Sequence, residues 1–243
     1  MSYTDLLIHA DDTAERWNLI GGNVPTTDTA QLYAQLNHEE AKELFCLGLL
    51  KDERTEVADA LGDLLYTAPY WARCLNIDWV CKMSNVDQSL LSEGFYVLAQ
   101  RLVLSTLPIE KEYPNYLPPE WEATRPSAPD ADAFFSALAA VFTIAQTMYN
   151  LELIHEIVSL SNFSKFPLSS NVNAQEECLM IVQEGRYEGI RWENISSQNK
   201  DYTVFRATYD AQDNVQLSLP GKIIKPSTFK AVDPQELLPA CLG

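Results

Sequence analysis

Glu39, Glu40 and Glu43 stand at helical spacing, and a second cluster of Glu53, Glu56, Asp59 and Asp63 follows, with twelve residues between Glu43 and Glu56, all within Asn37–Tyr66. The pattern reads E-E-x-x-E, a gap, then E-x-x-D. Carboxylates three apart on a helix leave from one face, ~4.5 Å apart along the axis. Two such pairs on facing helices make a cage of oxygen ligands, which suits a hard divalent cation such as Mg²⁺ or Mn²⁺. A di-iron bundle would want Glu-x-x-His, but His38 precedes the acids and does not follow one of them at that spacing. The competing reading is a solvated acidic face. Against it, the acids lie beside leucines, and like charges at these spacings repel unless a cation joins them.

Two helices must carry these groups. The first is expected from about Thr29 to Gly48. At roughly 100° per residue, Leu32, Leu36, Glu40, Glu43 and Leu47 share one stripe, which should point toward the bundle. The second starts near Asp52 and passes Tyr66. On it Glu56, Asp59 and Asp63 fall within roughly 60° of one another, beside Val57, Leu61, Leu64 and Leu65. Pro69 is expected to kink it or tighten its last turns. Further helices are expected over 2–20, ending at Gly21-Gly22, and over 87–105, 131–149 and 151–163. Thr27 or Asp28 is the expected cap of the first acid-bearing helix.

Residues 107–130 form a proline-rich surface connection with Tyr113, Tyr116 and Trp121. After Ser164 the pattern changes to a short helix over 174–184, closed by Gly185. Strand-like runs follow at Gly189–Asn194, Tyr202–Tyr209 and Val215–Leu219, with turn residues at Asn199–Asp201 and Asp210–Asn214. The expected fold is mainly α: an antiparallel helical bundle over 1–165 carrying the site. A C-terminal α+β extension over 166–243, with a small antiparallel meander, packs on it in one compact unit.

The whole chain has 243 residues, enough for a large buried core, and a formal net charge of −17. A field of that sign repels phosphate backbones and anionic lipid, so nucleic acid and membrane are not expected partners. A free nucleotide remains open if metal ions screen its phosphates. The five cysteines (46, 74, 81, 178 and 241) form no C-x-x-C pair, which argues against a zinc knuckle or a disulfide framework. The stretch MSYTDLLIHADD has no basic start or long apolar core, so a cytoplasmic location without a signal peptide is expected. Ala133–Tyr149 is uncharged but interrupted by Ser136, Thr143, Gln146 and Thr147, and reads as a buried bundle helix.

With E-E-x-x-E, E-x-x-D and the string DALGDLLY, the chain resembles the MazG-like all-α nucleoside triphosphate pyrophosphohydrolases. That superfamily includes phosphoribosyl-ATP pyrophosphohydrolase and the all-α dUTPases. Ser161-Asn162-Phe163-Ser164-Lys165 is similar to the family's S-N-M-S-K, and Gly221–Pro226 is similar to the G-K-x-x-K-P of some branches.

The resemblance implies a MazG-like bundle that hydrolyses a (deoxy)nucleoside triphosphate to monophosphate and pyrophosphate. It implies two or three Mg²⁺ per site, with Mn²⁺ able to substitute. Glu40, Glu43, Glu56 and Asp59 would be the metal ligands and Asp63 an additional acid close to the substrate. Glu39 would orient or deprotonate the attacking water, completing a catalytic set with Glu40 and Glu43. Asn162 and Lys165 would meet sugar or phosphates, Lys222 and Lys225 would meet phosphates, and Trp17 would stack on the base. A homo-oligomer, a dimer in the simplest case, is expected. The alternatives are a phosphoribosyl-ATP pyrophosphohydrolase-like activity or a non-catalytic acidic helical interaction protein. No Ser–His or Cys–His pair is legible, and His9, His38 and His155 are expected to be structural or exposed.

Overall fold

In a computed structural model the described residues are 1–106, 129–212, 214–216 and 222–242. Most of the proline-rich connection, residues 217–219 of the last expected strand and Gly221 lie outside them. The described chain is mainly helical, with two small antiparallel sheets. It divides into two compact units: Met1–Ala14, Pro25–Val158 and Asp233–Gly243 form one, and Glu15–Val24 and Ser159–Val232 form the other. The expected boundary after residue 165 is therefore not where the contacts divide. Trp17, Ile20 and Phe163 pack on Phe166, Tyr202 and Val204, which draws 15–24 and 159–165 into the β-containing unit.

The first unit begins with α1 (Tyr3–Ile20), of which residues 3–14 belong to it. Next is α2 (Thr27–Lys42). Its cap is Thr26, one residue before the expected candidates, whose hydroxyl accepts from the Thr29 backbone N–H at 3.1 Å. The helix then widens into a π-helical segment, Glu43–Leu49, in place of the continuous α-helix expected to Gly48. α3 (Arg54–Cys74) returns beside α2 after a short connection in which Asp52 takes a positive φ of 58°.

Val57, Leu61, Leu64 and Leu65 of α3 are buried as expected, and the helix runs on past the buried Pro69 to Cys74. Two glycines set how closely its neighbours approach. A Cβ on Gly48 would come within 2.5 Å of Val57 Cγ2, and one on Gly62 within 2.4 Å of Val158 Cγ2.

α4 (Trp79–Ser84) follows. The helix expected over 87–105 is two pieces, α5 (Gln88–Leu91) and α6 (Phe95–Thr106), parted at Gly94 with its φ of 83°. α7 (Ala131–Ala145) starts at Asp130, whose carboxylate accepts from the Ala133 N–H at 3.0 Å. Its Phe134, Phe135 and Phe142 are fully buried, so its apolar character serves the core. Among the described residues no helix is long and apolar enough to cross a membrane. α8 (Leu151–Phe163) contributes Leu151–Val158 to this unit. The short α10 (Pro234–Leu237) and the 3-10 turn Leu238–Ala240 close it, held by Asn150 N–H donating to the Ala240 carbonyl at 2.7 Å.

The second unit holds α9 (Ala174–Gln183), a 3-10 turn at Ser169–Asn171 and six short strands. These are β1 (Tyr187–Glu188), β2 (Arg191–Ser197), β3 (Lys200–Ala207), β4 (Tyr209–Asp210), β5 (Val215–Gln216) and β6 (Lys222–Ile223). The expected single meander is instead two sheets, ordered β1-β4-β5 and β2-β3-β6. β2 and β3 form a hairpin in register Ser197↔Lys200, so the two-residue turn is Gln198-Asn199, one residue earlier than expected. Both carry positive φ, 50° and 61°, the requirement of a twist-matched two-residue turn. β3 is the central strand, and Tyr202 through Ala207 are all buried. One face, with Tyr202 and Val204, packs on Ile20 and Phe166; the other, with Phe205 and Ala207, packs on Ile181 and Ile224.

Candidate functional site

The acid-bearing residues come from α2, the first π-helical position and α3. Glu39 and Glu40 sit in the last turn of α2, Glu43 opens the π segment, and Glu56, Asp59 and Asp63 lie on α3. Burial and mutual repulsion act on them together. Glu40 is driven well above the usual carboxylate range, first by burial and then by the charges of Asp63, Glu43, Glu39 and Asp59. Glu43 is raised by burial, then by Asp63, Glu39 and Glu56. Asp59 is pushed up to about 7 by burial, then by Asp63, Glu56 and Glu43. Each raised group thus feels acids of both helices, which places all six in one electrostatic cluster.

Two oxygens in that cluster lack any donor. Glu40 Oε2 and Asp59 Oδ1 are buried without a hydrogen-bond partner. Such atoms are costly unless a proton or a cation supplies the missing interaction. As the side chains stand, no group of three His, Cys, Asp or Glu among the described residues is arranged to hold a metal ion. Carboxylates that repel one another have no reason to converge unaided. The chemistry of the set nonetheless fits a hard cation: oxygen donors only, a surplus of negative charge, and two orphaned acceptors.

The leucine stripe expected to face the bundle does so only in part: Leu36 is half-buried, but Leu32 is 45% and Leu47 36% exposed. The buried face of α2 is Ala30, Tyr33, Ala34, Asn37, His38 and Ala41, continued by Leu44 and Phe45. Small residues and one aromatic let α3 and α6 pack close on that sector, so the acids stand at its border. Asn37 and Thr67 were not singled out by sequence. The Thr67 hydroxyl lies 3.0 Å from Asn37 Oδ1 and 2.9 Å from the Asp63 carbonyl, and Asn37 Nδ2 donates to the Tyr33 carbonyl at 2.7 Å. This buried bridge ties the acid-bearing helices together close to Glu40 and Asp63. The only signal for it was two polar residues on otherwise apolar helix faces.

The histidines serve structure. His38 Nδ1 is 3.1 Å from the Thr106 hydroxyl, and burial, with help from Lys42, lowers its pKa to about 4. His155 is lowered to about 4 by burial and by His9, whose ring meets it edge-on at 5.3 Å.

In the second unit, Trp17 comes together with Asn162 and Lys165, some 145 residues further along the chain. Trp17 Nε1 donates to the Asn162 carbonyl at 3.1 Å, and its ring lies 5.0 Å from Phe166. Lys165 Nζ donates to Asn162 Oδ1 at 2.7 Å and sits 5.7 Å from the centre of the Trp17 ring. Lys222 and Lys225 have other neighbours. Lys222 Nζ is 4.0 Å from Asp210 Oδ2 and 5.6 Å from the Tyr187 ring, while Lys225 lies 4.4 Å over Phe229. The same unit has a cleft of about 410 Å³ that sequence reasoning missed, lined by Gly22, Arg191, Trp192, Glu193, Ile195, Val204 and Arg206. Its floor holds Arg206, fully buried, with Nε donating to Glu193 Oε1 at 3.0 Å and Nη2 to the Gly21 carbonyl.

Compared with family models, curated proteins and solved structures, the chain matches none. Residue chemistry and geometry alone carry the functional reading.

Proposed function

We propose that this chain is a MazG-like, all-α pyrophosphohydrolase that cleaves a (deoxy)nucleoside triphosphate to the monophosphate and pyrophosphate in the presence of Mg²⁺ or Mn²⁺. The observation that carries this is the pair of buried, donorless oxygens, Glu40 Oε2 and Asp59 Oδ1, inside a six-carboxylate cluster. Glu40, Glu43, Glu56 and Asp59 would hold the cations. When bound, these would neutralise triphosphate oxygens and lower the pKa of a coordinated water. Glu39 is the residue to orient that water and accept its proton. Water oxygen bonds to the α-phosphorus, the bond from that phosphorus to the bridging oxygen breaks, and pyrophosphate leaves. Asp63 adds negative charge at the centre of the cluster, which strengthens cation binding.

A panel of ribo- and deoxynucleoside triphosphates, with phosphoribosyl-ATP included, tests the proposal. Each is incubated with Mg²⁺ and with Mn²⁺ and scored by released pyrophosphate. Turnover of at least one member is expected, with large losses in Glu43→Gln and Asp59→Asn. Silence across the whole panel with both metals would end the proposal, and turnover confined to phosphoribosyl-ATP would reassign the substrate.

A further inference from the structure

The second unit holds a cation that the acid cluster does not explain. Arg16, on the last turns of α1, is half-buried. Its Nη2 donates to the Tyr202 hydroxyl at 2.9 Å, and its guanidinium carbon sits 4.9 Å over the Phe163 ring. Its Nε is buried and has no acceptor. Both groups that hold it are neutral, and among the described residues it makes no ion pair with a carboxylate. In a chain with 34 acidic and 17 basic residues, a half-buried arginine left without a counter-ion is unusual.

The guanidinium is held in place nonetheless: the aromatic face and the phenol fix its plane and leave donors unspent. Lys165 belongs to the same cluster: its ammonium touches Asn162 and approaches the Trp17 ring, and Trp17, like Phe163 beneath Arg16, packs on the core of Ile20, Phe166 and Tyr202. Two cations thus lie over rings of one core cluster.

We infer that Arg16, together with Lys165, forms an oxoanion site in the second unit that takes a phosphate group, free or carried by a nucleotide. A planar fork with donors to spare suits phosphate oxygens, and a neighbouring ammonium adds charge. The inference rests on the nucleotide reading only for the source of the phosphate. It adds to that reading a residue no motif marked.

The test is binding by calorimetry with divalent metal removed by chelation, so that hydrolysis plays no part. Inorganic pyrophosphate is titrated in one arm and nucleoside 5′-monophosphates in another, against wild type, Arg16→Gln, Arg16→Lys, Tyr202→Phe and Glu43→Gln. Wild type should bind at least one anion. Arg16→Gln should weaken it about tenfold or more, the order of one charge-assisted contact. Arg16→Lys should recover part of the loss. Tyr202→Phe, which frees the guanidinium without removing its charge, should fall between and serves if Arg16→Gln fails to fold. Glu43→Gln should bind as well as wild type or better. Binding only in the pyrophosphate arm would mark a free diphosphate, and binding only in the second arm a nucleotide. No binding to wild type in either arm, or equal binding by folded Arg16→Gln, overturns the inference. Arg16-dependent binding in a chain that hydrolyses no triphosphate sinks the proposed reaction and leaves this site standing. Hydrolysis with Arg16-independent binding does the reverse.

Discussion

In the first unit six carboxylates crowd together, raising the pKa of Glu40, Glu43 and Asp59, and two of their oxygens are buried with nothing to accept from. In the second, Arg16 and Lys165 are held by neutral partners: a phenol, an amide oxygen and aromatic rings. The difference is one of satisfaction. The acids are strained by their own company, so removing one should relieve the fold and harm only what binds there. Among the described residues Arg16 is tethered without an ion pair, so removing it should cost little stability and a good deal of anion affinity. A structural salt bridge would show the opposite pattern, since each partner would be quenched by the other.

The largest effect should come from the acids. Glu43→Gln or Asp59→Asn should lower pyrophosphate release about 100-fold or more, the scale of losing a metal ligand. Melting temperature in chelator should hold or rise. A variant that loses activity by unfolding would break the contrast between the clusters.

Next is the packing that brings α8 against α3. Gly62→Ala places a Cβ 2.4 Å from Val158 Cγ2 and 2.9 Å from Ile154 Cγ2. Destabilisation of about 1–3 kcal/mol is expected in urea unfolding. Adding Val158→Ala should return part of it by removing the nearest methyl.

Lys165 and Lys222 sharpen the comparison within the second unit. Lys165→Gln should weaken anion binding in the metal-free titration about tenfold. Lys222→Gln should weaken it less, because that ammonium already lies near Asp210 and Tyr187. Equal effects would restore the two lysines to the same role.

The smallest effect is on pH dependence. Asp59 ionises near 4 when unfolded and near 7 when folded. Between those values the unfolded chain has lost a proton that the folded chain keeps, so stability falls as pH rises from about 4 to 7 and is flat above. His38 and His155, lowered to about 4, act the other way: they lose stability as pH falls below their ordinary 6.5. Melting scans in chelator should therefore show Asp59→Asn lessening the decline on the rising side, with the raised Glu40 and Glu43 keeping the remainder, while the histidine arm persists. Saturating Mg²⁺ should flatten the same decline in wild type and raise the melting temperature. An unchanged melting temperature with either metal would count against the cation.

Part of this was legible in the chain. Glu40, Glu43, Glu56 and Asp59 lie on two consecutive helical stretches, and their spacing is a local property of a 3.6-residue turn. The buried Val57, Leu61, Leu64 and Leu65 were readable for the same reason. The flank chosen for burial on α2 was not. Leu32 and Leu47 have higher hydropathy than Ala30, Ala34 and Ala41, but close approach of α3 and α6 favours the small side chains.

The sequence by itself determined the chemistry at hand: an acidic chain, two carboxylate stripes and the apolar flank beside the second of them. These are set by side-chain type and backbone preference within a few residues. Tertiary structure alone decided the π-helical widening at Glu43, the Asn37–Thr67 bridge and the separation into two sheets. It also decided that Arg16 meets Phe163 and Tyr202 with no carboxylate ion-paired to it among the described residues. Each depends on which distant segments meet, and a charge acquires or lacks its counter-ion only when the chain has folded around it.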